Sequence, residues 1–308
     1  MKNDTKTGIA FVFKQIENRF QLDHRTDNRQ QTERRSILKG LKTYILHLGD
    51  GNLDSNYMVR DDTCASTEFP EEKHRWDRHP YVAVLIDHPE CGWILYDTGP
   101  SRTPKEDWTD SMLYRCIPEL PEETSMENQL KLAGVAPKDI KHVVMSHLHM
   151  DHFGNAKLFA DTADFYVAKR EMEEAALMIL QKPDPEWAAQ FWYLRSEVFQ
   201  TVKSWTYIDH EYELFPGIDV ILLPGHTACV LGLLIHNENQ PVLVVGDAIN
   251  NIRNYNGMPP GPQFDSVGWR ASVQKVHELQ RKYNAQLVFG HDANQFYNEL
   301  KLAPAYYD

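Results

Sequence analysis

The chain reads as a mixed α/β protein in a layered or sandwich arrangement, organised around one large core. Three observations give that class. With 308 residues, 42% of them hydrophobic, it has enough apolar material for a single large core. Short apolar, β-branched runs recur along it with helical segments between them. Several of those runs end by releasing histidine or aspartate into a loop, as expected when a rigid sheet presents chemistry at its edge.

Residues 1–40 are polar and charge-rich, ending in the basic stretch Arg29 to Arg35, and read as an N-terminal extension or arm. Residues 41–308 form the catalytic domain. Leu41 to Leu48 predicts the first strand, with a turn at Gly49 to Asn52 and a polar loop from Asp61 to His79. Tyr81–Asp87 and Trp93–Asp97 flank the turn His88–Gly92 and predict a hairpin. It ends in Asp97-Thr98-Gly99, where the carboxylate reads either as an orienting partner for a ligating histidine or as a turn cap. Ser125 caps a short helix that runs to Ala133.

The apolar run Ile140–Met145 then delivers Ser146-His147-Leu148-His149-Met150-Asp151-His152. In an extended segment His147 and His149 point the same way and can ligate one ion, while Asp151 and His152 lie past the bend and can reach a second. A strand follows at Asp164–Ala168, with helices at Lys169–Gln181 and Glu186–Gln200. Trp187, Phe191 and Trp192 in the second of these read as core or as the lining of an apolar pocket.

The second half repeats one device. Strands at Ile218–Leu223, Pro241–Val245 and Gln286–Phe289 each run through a glycine to His226, Asp247 and His291 respectively. Glycine there permits close approach of the backbone to an ion. The helix Ser266–Tyr283 sets Val273, Val276, Leu279 and Tyr283 on one face as core. Together the candidates write a binuclear site: His147, His149 and His226 on one ion, Asp151, His152 and His291 on the other, Asp247 bridging. Imidazole and carboxylate without thiolate suit two divalent ions, Zn2+ first, with Fe, Mn or Co open. Such a pair shares a hydroxide at neutral pH and points to hydrolysis.

A net charge of −12 supplies no basic surface for phosphate backbones, so nucleic acid is not an expected partner. No apolar run is long enough to span a bilayer and Met1–Lys6 lacks an apolar signal core, so no membrane contact and a cytoplasmic location are expected. Cys64, Cys91, Cys116 and Cys229 are unevenly spaced with no Cys-x-x-Cys pair and read as free thiols.

The motif His-x-His-x-Asp-His at 147–152, with His226, Asp247 and His291 at strand ends, resembles the metallo-β-lactamase superfamily from about residue 41 onward. The resemblance implies an αββα sandwich, two mixed sheets face to face with helices outside and the metals at one edge. The ligand set differs from that of class B β-lactamases. Glyoxalase II shares it, but this chain lacks that enzyme's basic glutathione-binding C-terminal region. Glu127–Leu130 and the closing segment from Gly290 to Tyr307 are similar to N-acyl homoserine lactonases.

Two departures mark the substrate side. Lactonases usually carry a tyrosine three residues after the bridging aspartate, where this chain has Asn250, and Tyr255 is the nearby candidate to replace it. Relatives commonly continue the His226 motif with Pro-Gly-His, where this chain has Ala228-Cys229-Val230.

The resemblance implies a metal-dependent hydrolase that opens the lactone ring of N-acyl homoserine lactones, or of similar cyclic esters, by attack of a metal-bridging hydroxide. Asn250 or Tyr255 would face the carbonyl oxygen and Asp151 would pass on the proton. Hydrolysis of a lactam or cyclic carbamate, or a glyoxalase II-like thioesterase activity, are the alternatives. A homodimer built on the N-terminal arm is a further expectation.

Overall fold

The computed structural model describes residues 38–181, 193 and 201–308. The expectations for residues 1–37 and for a helix at Glu186–Gln200, with its aromatic stripe, lie outside the described residues, Tyr193 apart. Among the described residues, twelve strands form two sheets. They are β1 (Lys42–Asp54), β2 (Trp76–His88), β3 (Gly92–Tyr96), β4 (Cys116–Glu119), β5 (Ile140–Val144), β6 (Asp164–Ala168), β7 (Trp205–Ile208), β8 (Glu213–Phe215), β9 (Ile218–Leu223), β10 (Val230–Ile235), β11 (Val242–Gly246) and β12 (Gln286–Phe289). The larger sheet has the order β4-β1-β2-β3-β5-β6-β7 and the smaller β12-β11-β10-β9-β8. Both are mixed: β3, β5, β6 and β7 pair in parallel, as do β11 and β12, while the hairpin neighbours are antiparallel.

Period-2 alternation of side chains explains why both faces of each central strand are apolar. On the larger sheet Ile45, Val84, Ile86, Ile94 and Val144 point inward and meet Ile218, Val220, Leu231, Leu233 and Val244 of the smaller sheet in one buried cluster. Their neighbours Leu46, Ala83, Leu85, Leu95 and Val143 point the other way, into a second cluster with Met126, Leu130 and Phe153 from short helices. On the far face of the smaller sheet, Leu223, Leu234, Leu243 and Phe289 pack against Trp269, Val273 and Val276 of the helix Ser266–Tyr283. Layer by layer this is helix, sheet, sheet, helix. Each buried Val, Leu or Ile contributes about 1.5–3 kcal/mol of transfer free energy.

The hairpin, the capped helix after Ser125, the strand at Asp164–Ala168 and the helices Lys169–Gln181 and Ser266–Tyr283 stand where the sequence places them. The turn expected at Gly49–Asn52 does not. The strand continues through it to Asp54, with a register shift between His47 and Asp50. Asp50 is tolerated there because its buried carboxylate accepts from Arg78 at 2.6 Å and lies 3.2 Å from His47 Nε2. The polar loop also ends early, since Trp76 already pairs with Asp54. All four cysteines are free thiols.

Candidate metal centre

Every group of ligand type released by the strands arrives at one place. His147 and His149 occupy the turn after β5, and Asp151 and His152 sit on the single helical turn Met150–Phe153. His226 lies between β9 and β10, Asp247 follows β11, and His291 follows β12. Three sets form, each with its ligand atoms within 4.8 Å of one another: His147, His149 and His226; His147, His152 and Asp247; Asp151, His152 and His291. Asp247 touches both sides, its Oδ1 3.3 Å from His152 Nε2 and its Oδ2 3.5 Å from His226 Nε2 and 3.1 Å from His291 Nε2. Glycine is required at two of the approaches: a Cβ on Gly290 would collide with Asp247 Oδ1, and one on Gly225, at φ 140°, with the backbone of Trp269.

The donor set fits divalent cations. His147 Nε2, His152 Nε2 and Asp247 Oδ1 are buried without a hydrogen-bond partner, which is costly unless an ion receives them. His149 Nδ1 faces His226 Nε2 at 3.2 Å, nitrogen toward nitrogen. Two aspartates share the site, yet among the described residues no lysine or arginine lines the cavity above it. Burial and neighbouring imidazoles hold His147 and His149 well below the usual histidine range, and burial lowers His226 as well, so these rings are neutral, the state that ligates. For His152 and His291 burial acts the same way but is outweighed by Asp247 and Asp151, which raise both. That excess of negative charge is what cations would neutralise.

Behind the ligands stands a layer of orienting groups. Asp97 is fully buried and accepts from Ser146 N at 2.7 Å and Ser146 Oγ at 2.6 Å, while its Oδ2 lies 2.8 Å from His152 Nδ1. Of the two readings of Asp97, the orienting partner is the one with this geometry. His147 Nδ1 contacts Ser146 Oγ at 2.9 Å, and His291 Nδ1 donates to the Pro80 carbonyl at 2.9 Å.

Sequence reasoning missed Glu171. Its carboxylate is completely buried, accepts from Leu148 N at 3.1 Å, Tyr193 Oη at 3.2 Å and Cys229 N at 3.5 Å, and is pushed up to about 7 by burial. It ties the His147–His149 turn to the segment after His226. A lone glutamate at a helix start carries no signal of such a role.

Above the ligands opens a cavity of about 480 Å3. Leu53, Met58, Met150, Met178 and Phe264 give it apolar walls, and His79, Asn250, Glu174 and Gln263 add polar groups. Asn250 is buried, holds His291 N on its carbonyl at 2.9 Å, and leaves Oδ1 without a partner. Tyr255 is placed elsewhere, and the expectation that it could replace the lactonase tyrosine is corrected. It ends the helical turn Ile252–Tyr255, with its ring stacked on His277 at 3.9 Å and packed near Phe289, behind the smaller sheet. His79 was hidden in the segment read as a loop. It is 8% exposed, and burial, followed by the nearby His291, lowers it to about 4.

The model of the metallo-beta-lactamase superfamily matches residues 76–291, a span that contains every candidate ligand. The chain belongs to the metallo-beta-lactamase superfamily. Among curated relatives it is 27% identical over 294 residues to the N-acyl homoserine lactonase AiiB of Agrobacterium fabrum, covering 87% of this chain and 100% of that one. It is 30% identical over 241 residues to the N-acyl homoserine lactonase AttM of Azorhizobium caulinodans, covering 74% and 88%. Among solved structures, an N-acyl homoserine lactone hydrolase with the product N-hexanoyl-L-homoserine bound at its catalytic metal center superposes with a TM-score of 0.71 at 24% identity, covering 86% of this chain and 98% of that one. The dizinc quorum-quenching lactonase AidC gives 0.61 at 18%, covering 88% and 94%. These superpositions share the αββα sandwich of the superfamily member described above.

Proposed function

We propose that the chain is a binuclear metal-dependent hydrolase that opens the lactone ring of N-acyl homoserine lactones. The observation that carries this reading is the convergence of seven ligand-type side chains, several with unpartnered buried atoms, on the floor of a cavity with apolar walls. His147, His149 and His226 would hold one ion and Asp151, His152 and His291 the other, with Asp247 between them. Zinc suits this donor set, and the relative AidC is described as dizinc. When bound, two such ions supply Lewis acidity at a carbonyl and a water ionised near neutral pH.

The chain's own groups do the rest. Asp97 fixes the orientation of His152 through Nδ1. Asn250, at the cavity wall beside His291, presents its amide to the oxygen that gains charge during attack. Asp151, whose side chain is 18% exposed and faces the cavity, carries the proton to the departing ring oxygen. Leu53, Met58, Met178 and Phe264 receive an acyl chain.

Acid release from N-decanoyl homoserine lactone by protein loaded with two equivalents of zinc, against a chelated control, tests the reading. Metal-dependent opening with kcat/KM above about 10^4 M-1 s-1 is expected. A fully metallated sample that leaves the lactone intact would discard this substrate. Because Asn250 stands where lactonases carry tyrosine, cyclic lactams and carbamates are the substrates to try next.

A further inference from the structure

His79 is a buried polar side chain that neither the ligand sets nor the orienting layer uses. It sits near the start of β2, where Arg78 and His79 pair with Asn52 and Gly51 of β1, and it lines the cavity. A neutral imidazole carries one N–H and one lone pair, so either ring nitrogen, Nε2 included, can accept a hydrogen bond. That Nε2 is buried and has no partner. An orphaned acceptor facing a ligand cavity is costly unless the ligand satisfies it.

A second unpaired atom lies in the same cavity wall. Gln263 accepts from Ser266 Oγ at 2.8 Å through Oε1, and its Nε2 is buried without a partner. Besides Asn250 Oδ1 and Thr227 Oγ1, which are also buried and unpaired, the lining thus holds a nitrogen at His79 that can accept and one at Gln263 that can donate, and these two together complement a secondary amide. Asn250 serves the reacting carbonyl and belongs to the function proposed above. His79 and Gln263 are left for the part of the substrate that does not react.

We propose that His79 is a specificity-determining residue whose Nε2 accepts a hydrogen bond from the amide N–H of the substrate, with Gln263 Nε2 donating to the amide oxygen. This rests on the lactone reading of the site and deepens it. A site built to pair a substrate N–H discriminates against an analogue lacking it, because its own polar atom is then left buried and unpaired.

The test compares N-decanoyl homoserine lactone with its depsi analogue, in which an ester oxygen replaces the amide N–H and the shape is kept. Ring opening is followed for both with zinc-loaded protein. The expected amide-to-ester ratio of kcat/KM is about ten in the unaltered chain and about one in His79→Leu. Zinc content measured on each sample should be equal, which separates substrate recognition from disturbance of His291. His79→Gln, which keeps an acceptor, should retain a ratio above one.

A ratio near one in the unaltered chain overturns the inference, as does a ratio that His79→Leu leaves at ten. Should His79→Leu fail to fold, the ratio in the unaltered chain decides. If the unaltered, metal-loaded chain opens neither compound, the lactone reading fails and takes this inference with it. Opening of both at equal rates sinks the role of His79 alone.

Discussion

The floor and the wall of one cavity are built differently. On the floor, three of the ligand-type histidines have a second partner behind them: His152 has Asp97, His147 has Ser146 and His291 has the Pro80 carbonyl. Their unpaired atoms face each other across a few ångströms. On the wall, His79, Asn250 and Gln263 line the cavity, and each keeps one buried atom unpaired. Unpaired buried atoms that converge call for a cation, and unpaired atoms spread over a wall call for a polar ligand. In the function proposed above, the floor would supply the chemistry and the wall would select the molecule.

The largest effects should come from the floor. Asp247→Asn keeps the shape but removes a charge that touches both ion positions, so metal retention and activity should fall together, by on the order of 1000-fold in rate. Full metal content with an unchanged rate, measured by elemental analysis alongside turnover, would remove Asp247 from its bridging place. Asn250→Ala, a wall change, should lower kcat about 10- to 1000-fold with both metals intact. If kcat stays put, Asn250 does not face the oxyanion. Asp97→Asn should cost about 10- to 100-fold in metal affinity or activity, because His152 loses the carboxylate that sets its tautomer and angle. Equal zinc affinity in a competition titration would show that Ser146 suffices.

Much of the floor was legible because its residues are local or repeated. His147 to His152 is one contiguous cluster, and His226, Asp247 and His291 each follow a strand and a glycine. The wall depends on pairing between distant segments. His79 reads as loop until β2 is seen to begin at Trp76, opposite Asp54. Gly49–Asn52 has turn composition, yet Arg78, across the β1–β2 pair, satisfies Asp50 and lets the strand run on. Val230–Ile235 is a strand buried along its whole length, so it lacks the polar–apolar alternation by which a half-buried strand shows in a sequence. Tyr255 was misplaced since four residues of helix turn it toward His277. Glu171 is buried only because two ligand loops close over it.

Smaller effects follow from the supports. The carboxyl of Glu171 is raised by burial from its ordinary 4.5 to about 7, so the folded chain keeps a proton that the unfolded chain has lost between those values. Its contribution to stability is therefore present at low pH and declines as pH rises through that window. Glu171→Gln cannot ionise, so its Tm relative to the unaltered chain should climb from pH 5 to pH 7.5. A constant difference would show that Glu171 is not protonated there. Tyr255→Phe should leave kcat within about twofold, since the ring and its stack on His277 survive. A tenfold fall would return Tyr255 to the cavity.

The central claim is that two ions on this floor open the ring. Its most direct test is to titrate metal-free protein with zinc and record bound metal and lactone-opening rate on the same samples. The account predicts two ions per chain and a rate that reaches its plateau only as the second is taken up. A plateau with one ion bound, or turnover by the metal-free chain, would contradict it.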